Sequence, residues 1–348
     1  MTADGGMSPG DDGSSSLDAS GLEPDADGSG PTTGDGASGE AYVAPVWATW
    51  PMPNDPASGL PRPQSYDTSV AEIAADKVTG LTWQRDAYLL STAQAPPVDE
   101  ILAAAATYCA GLRLGDFSDW RVPSRIELVS LMDFSSSPAS NSTVFPSVEG
   151  YFVSSSQHKV GTALAAVGEV WMGTASDPGD SIDYASDPAM SQAQGTDAVR
   201  CVRGQVPGEG PHYTIANEVV QDNWTGLSWI QAPSALMEPG SVASYCTSQT
   251  LAGGGWREPS TPELETLWGD FPDPTGVSLD PTAFAAALQL AQGFGTADVE
   301  LAASSAPVWV CIGKECSTFP QDDVAPVLFP LTGSEPYMEY WVYAECVR

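Results

Sequence analysis

Hydrophobic and polar positions follow three regimes along this chain. Residues 1–40 are built from Gly, Ser, Asp, Pro and Thr, with nine acids, no base and no aromatic. Such a segment cannot bury enough apolar surface to offset its ordering entropy, so a disordered acidic tail is expected. Residues 41–65 set Tyr42, Trp47, Trp50 and Met52 among six prolines. That pattern reads as an extended strap, expected to pack its aromatics on the domain that follows. From residue 66 onward, periodic segments begin. Asp99 to Leu112 places Ile101, Ala105, Tyr108 and Leu112 on one helical face. Ser124-Arg-Ile-Glu127 and Ser260-Thr-Pro-Glu263 are capping boxes, which open helices burying Leu128 and Leu131, and Leu264 and Leu267. Asp280-Pro281 predicts a further helix over 283–292, ended by Gly293. Thr79-Gly80 and Thr225-Gly226 read as turns feeding short strands. Two helices followed by a loop-rich β half is an α+β pattern.

The same landmarks occur twice, in one order. Asp76-Lys-Val-Thr-Gly-Leu-Thr-Trp83 is answered by Asp222-Asn-Trp-Thr-Gly-Leu-Ser-Trp229, and Tyr108-Cys109 by Tyr245-Cys246. Trp120-Arg-Val-Pro-Ser-Arg-Ile-Glu-Leu128 is answered by Trp256-Arg-Glu-Pro-Ser-Thr-Pro-Glu-Leu264. A serine pair and a lone tryptophan follow (Trp171 or Trp309), and the copies close on Arg200-Cys-Val-Arg203 and Glu345-Cys-Val-Arg348. The expected organisation is a domain over 66–204, a Gly/Pro linker over 205–212 and a second domain over 213–348. Trp83, Trp120, Trp171, Trp229, Trp256 and Trp309 recur by position, so they are expected to be structural. Arg121 and Arg257, beside two of them, are expected to satisfy buried carbonyls or a carboxylate.

Charge narrows the function classes. With 45 Asp and Glu against 12 Lys and Arg, the formal net charge is −33. No basic stripe exists to neutralise phosphates, which excludes a nucleic-acid partner and disfavours anionic lipid. No apolar run reaches the roughly 20 residues of a membrane helix, so no transmembrane segment is expected.

Six cysteines allow fifteen pairings. If the copies are alike, each holds its own pair, Cys109–Cys201 and Cys246–Cys346. Cys311 and Cys316 then remain for a small clasp. The metal reading needs clustered soft ligands, yet only His158 and His212 are present and no Cys-x-x-Cys occurs. Disulfides imply an oxidising compartment outside the cytosol.

In their order these motifs resemble the bacterial DUF1566 domain, also called the Lcl C-terminal domain. The resemblance covers about 66–348 in two copies. The second departs from it at Glu258, where the first has Val122, and in an inserted helix. That family is similar to C-type lectin-like folds, in which a helix-borne cysteine pairs with one on the last strand. The resemblance therefore implies two tandem, disulfide-stapled C-type lectin-like domains, each with short strands and two helices. It implies a binding scaffold at the cell surface or secreted, in one form an outer-membrane lipoprotein with its lipid anchor upstream. It implies no particular site residue.

Other chemistries have blander explanations. Ser154 to Ser156 with His158 lack the Gly-x-Ser-x-Gly elbow of a hydrolase. Asp177, Asp180, Asp183 and Asp187 could hold Ca²⁺ from a Gly/Pro/Ser loop, but their spacing is not that of an EF-hand. The Cys311–Cys316 spacing resembles the redox pair of formylglycine-generating enzymes, without the other motifs of such an oxidase. No enzyme activity and no cofactor are expected. The expected partner is a glycan or surface protein, or else further copies of this chain in a structural role. Ligand contacts are expected where the copies differ: 157–169 and 177–197, including Asp183 and Tyr184, and 271–296 and 312–324, including Phe294 and Phe319.

Overall fold

The computed structural model describes residues 47–90, 98–133, 140–146, 151–160, 163–171, 182–185, 197–204, 208, 210–235, 237–267, 279–287, 299–303, 308–312, 327–330 and 343–348. All of them fall in one compact unit, Tyr42–Arg348. The acidic tail and the Phe294 and Phe319 loops lie outside the described residues. So do Asp177, Asp180, Asp187 and Cys316.

The fold is mixed α+β. Strands β1 (Tyr66–Asp67), β2 (Ile73–Asp76) and β3 (Thr82–Gln84) form an antiparallel meander that β9 (Val202–Arg203) completes, in the order β1-β2-β3-β9. Strand β4 (Tyr88–Leu89) edges a second sheet, ordered β4-β8-β5-β6-β7. Its other members are β5 (Tyr151–Val160), β6 (Ala163–Trp171), β7 (Ile182–Ala185) and β8 (Asp197–Val199). Between these strands lie α1 (Val98–Gly111) and α2 (Arg125–Val129). In the second half, β10 (Tyr213–Ala216), β11 (Val219–Asp222) and β12 (Ser228–Ile230) repeat the meander, followed by α3 (Val242–Ser248) and α4 (Thr261–Glu265). A last sheet pairs β13 (Val299–Ala303), β14 (Val308–Ile312) and β15 (Val327–Pro330).

Repeated sequence makes repeated local structure. Asp76 Oδ1 accepts the N–H groups of Val78 and Thr79, and Asp222 Oδ1 those of Trp224 and Thr225. Both turns need a left-handed residue before the strand, supplied by Gly80 (φ 77°) and Gly226 (φ 74°). Each turn delivers a tryptophan, Trp83 or Trp229, into full burial. Both capping boxes form: Ser124 and Ser260 accept from the third helical N–H, and Glu127 and Glu263 accept from the cap N–H. The same glutamates take bidentate bonds from Arg121 and Arg257, at 2.6 and 2.7 Å in each half. Arg121 pairs its backbone with Val202, and Arg257 with Val347. Helix α1 buries Ile101, Ala105 and Cys109, one stripe at four-residue spacing. Disulfides join Cys109 to Cys201 and Cys246 to Cys346, the pairs that the repeat predicts. Asp280 Oδ1 accepts from Thr282 and Ala283, and residues 285–287 are helical, where the sequence predicts a helix start.

The core crosses from one half to the other. One apolar cluster holds Trp83, Leu128 and Phe152 of the first half with Trp229, Leu264 and Phe284 of the second. The strap supplies Ala48, Trp50 and Met52 to the same cluster. Its expected seat on the first half alone needs correction. Trp47 packs edge-on against His212 and Tyr213, and Arg62 donates to Thr225 O. Gln64 reaches the first half, donating to Met132 O. The strap lies against both halves because the buried polar groups of both supply partners for it.

Candidate functional site

The six recurring tryptophans divide into two groups. Trp83, Trp120, Trp229 and Trp256 are buried. Trp171 ends β6 opposite Tyr151, and Trp309 in β14 is opposite Ala302 and Phe329. Of the expected ligand residues, Asp183 and Tyr184 lie on β7, in register with Glu169 and Gly168 of β6. Cys311 lies on β14 opposite Glu300 and Val327. Ser154 and Ser156 are buried and serve the fold: Ser154 Oγ accepts from Ser156 N, and Ser156 Oγ from Arg125 N. His158 is in register with Ala166 on β6. Among the described residues, no group of three His, Cys, Asp or Glu is placed to hold a metal ion.

Three arrangements escape a reading of the sequence. First, Arg200 is buried, with its guanidinium over the rings of Phe145 and Phe152 at 4.7 and 5.2 Å, donating to Gln84 O. Burial lowers its pKa to about 10. Glu345 holds the matching position before Cys346, and burial raises its carboxyl well above the ordinary range. One site holds a basic residue in the first half and an acidic residue in the second. Second, the His212 ring stacks on Trp224 at 4.0 Å and on Tyr213 at 3.8 Å. A Cβ on Gly208 would come within 2.4 Å of the Trp224 indole, so the linker needs glycine there.

The third arrangement is at the surface. Tyr88 on β4 and Tyr108 on α1 stack face to face, with ring centroids 3.9 Å apart and an interplanar angle of 10°. Tyr88 is 46% exposed. Gln84 fixes the inner ring: its Nε2 donates to Tyr108 Oη at 2.8 Å while its Oε1 accepts from Cys201 N. Burial raises the Tyr108 hydroxyl pKa, helped by the neighbouring Tyr88 and Asp86. The second half keeps the inner ring as Tyr245 but not the platform. Ser234 stands where Tyr88 does, five residues after the buried tryptophan, and its Oγ accepts from Ala344 N. Ile230 stands where Gln84 does, and it and Tyr245 pack against one buried cluster around Cys246 and Trp256. The available signal was this mismatch: Tyr108 recurs, but its partner does not.

Among the described residues, these features define a disulfide-stapled α+β scaffold. Residues 72–203, from the residue before β2 through β9, match the family model of the Lcl C-terminal domain. No curated protein and no solved structure matches the chain.

Proposed function

We propose that this protein is an extracytoplasmic binding module of two tandem lectin-like domains, 66–204 and 213–348. It works at the cell surface or as a secreted protein, and recognises glycan or protein ligands through loops that the scaffold holds. The observation carrying this reading is the recurrence, in the second half, of the turns, arginine clamps and long disulfide found inside the matched segment. Two disulfides support an oxidising compartment. Rigid elements leave loops free to vary, which is where recognition usually resides. Among the described residues, no helix is long and apolar enough to cross a membrane.

The test replaces 177–197 or 312–324 by short Gly-Ser loops and screens both variants against glycan and surface-protein panels. Loss of binding with an unchanged thermal midpoint is expected. Wild-type protein that binds neither panel and assembles into regular arrays would replace this reading with a structural envelope role.

A further inference from the structure

We propose that the stacked Tyr88–Tyr108 pair is a binding subsite for the flat face of a neutral sugar ring. The assignment rests on the binding-module reading and gives it a place and a ligand class. The pair presents one aromatic face outward, while the other is occupied by a ring locked from below. Its geometry is fixed before any ligand arrives, so binding loses little conformational entropy. The C–H face of a pyranose carries the weak positive potential that suits the negative face of an aromatic ring. A hydrogen-bonding group is close by, since Asp86 is exposed and stands two residues before Tyr88 in the chain. A carboxylate beside an aromatic ring can accept from sugar hydroxyls.

Charge selects the class of glycan. The protein carries −33, and the exposed Asp86 stands two residues before Tyr88, so sulfated or uronic sugars meet repulsion. A peptide adding to the sheet edge is a poorer occupant, because β4 offers only two residues, Tyr88 and Leu89, to pair. Comparison of the halves supplies the independent argument. Scaffold residues recur in both, whereas the exposed ring and its glutamine support occur only in the first. The second half folds with serine at the matching sequence position, so Tyr88 is not needed to build the scaffold.

The full chain would be titrated calorimetrically with neutral cello-, chito-, malto- and xylo-hexaoses, with heparin as the anionic comparison. Binding to at least one neutral hexaose is expected, weakened about ten-fold or more by Tyr88→Ser, a loss of roughly 1.4 kcal/mol. Tyr88→Phe, which keeps the ring, should retain the affinity within a few-fold. Thermal midpoints of both variants should match wild type, because Ser is the residue that the second half already carries there. Undiminished hexaose binding by Tyr88→Ser overturns the site while leaving the binding-module reading intact. Preference for heparin overturns the ligand class. Failure of the wild-type chain to bind any neutral hexaose overturns the assignment outright. Peptide or protein binding lost in the loop swaps would then show that the broader reading survives it.

Discussion

Arg125 of α2 donates to Glu265 of α4 at 2.7 Å, and neither side chain has any exposed surface. This ion pair joins the two halves across the shared core. It is also asymmetric, because the matching positions are Thr261 and Val129. Removing one member leaves a buried charge without its partner, which costs roughly 3–5 kcal/mol. Arg125→Met and Glu265→Leu should each lower stability to urea by that order. The double variant should recover much of the loss, since an apolar pair avoids desolvating two charges. Additive losses in the double-mutant cycle would contradict a direct pair.

Asn54 ties the strap into the second half. Its Nδ2 donates to Glu263 Oε1 at 3.1 Å and to Pro61 O at 2.8 Å, and its Oδ1 accepts from Ser260 Oγ. The residue is fully buried. Asn54→Leu would strip partners from a capping serine and a clamped glutamate, a cost of roughly 1–3 kcal/mol for each group left unsatisfied. Chemical denaturation should show the loss. Deleting 1–40 should leave the midpoint unchanged, and deleting through Leu60 should lower it, by exposing the core surface that Trp50 and Met52 cover.

Chemistry that occurs twice was legible in the sequence, and partnership that breaks the repeat was not. The capping boxes, the Asp76 and Asp222 turns and both disulfides follow from motifs that occur twice, each duplicate checking the other. Arg125 and Glu265 lie 140 residues apart and break the repeat, so no periodicity connects them. The seat of the strap was hidden for the same reason: proline spacing shows extension, but not which half offers Ser260 and Glu263. Tyr88 has no counterpart in the repeat, and its significance lies in Tyr108, twenty residues later on a helix.

The disulfides close separations of 92 and 100 residues, for which the chain-entropy model gives about 4–5 kcal/mol each. Replacing Cys109 and Cys201 by serine should therefore lower stability by roughly 4 kcal/mol. Because Trp83 and Trp229 share one core cluster, the loss should be felt in both halves, as a single transition at lower urea concentration. Two separated transitions would show that the halves unfold independently.

Stability should also fall as pH rises through the weakly acidic range. Desolvation raises Glu258 from the ordinary 4.5 to about 7, and burial holds the Glu345 carboxyl well above its usual range. The folded chain therefore holds these protons more tightly than the unfolded chain. Their contribution is fully present below about pH 4.5 and is lost for Glu258 as pH climbs to about 7, with Glu345 extending the decline further. Glu263 has the opposite sign. Burial pushes its carboxyl up, but the bidentate bond from Arg257 holds it below the ordinary value, so its contribution is lost on acidification. The two trends should leave the protein most stable in mildly acid solution. Urea midpoints at half-unit pH steps would trace the slope, and Glu258→Gln should flatten it between pH 4.5 and 7. Glu258→Val installs the residue that the first half carries at this position, where Val122 is buried. It should stabilise the protein more at pH 8 than at pH 5, since only at the higher pH does the wild-type chain hold a charge in that half-buried place.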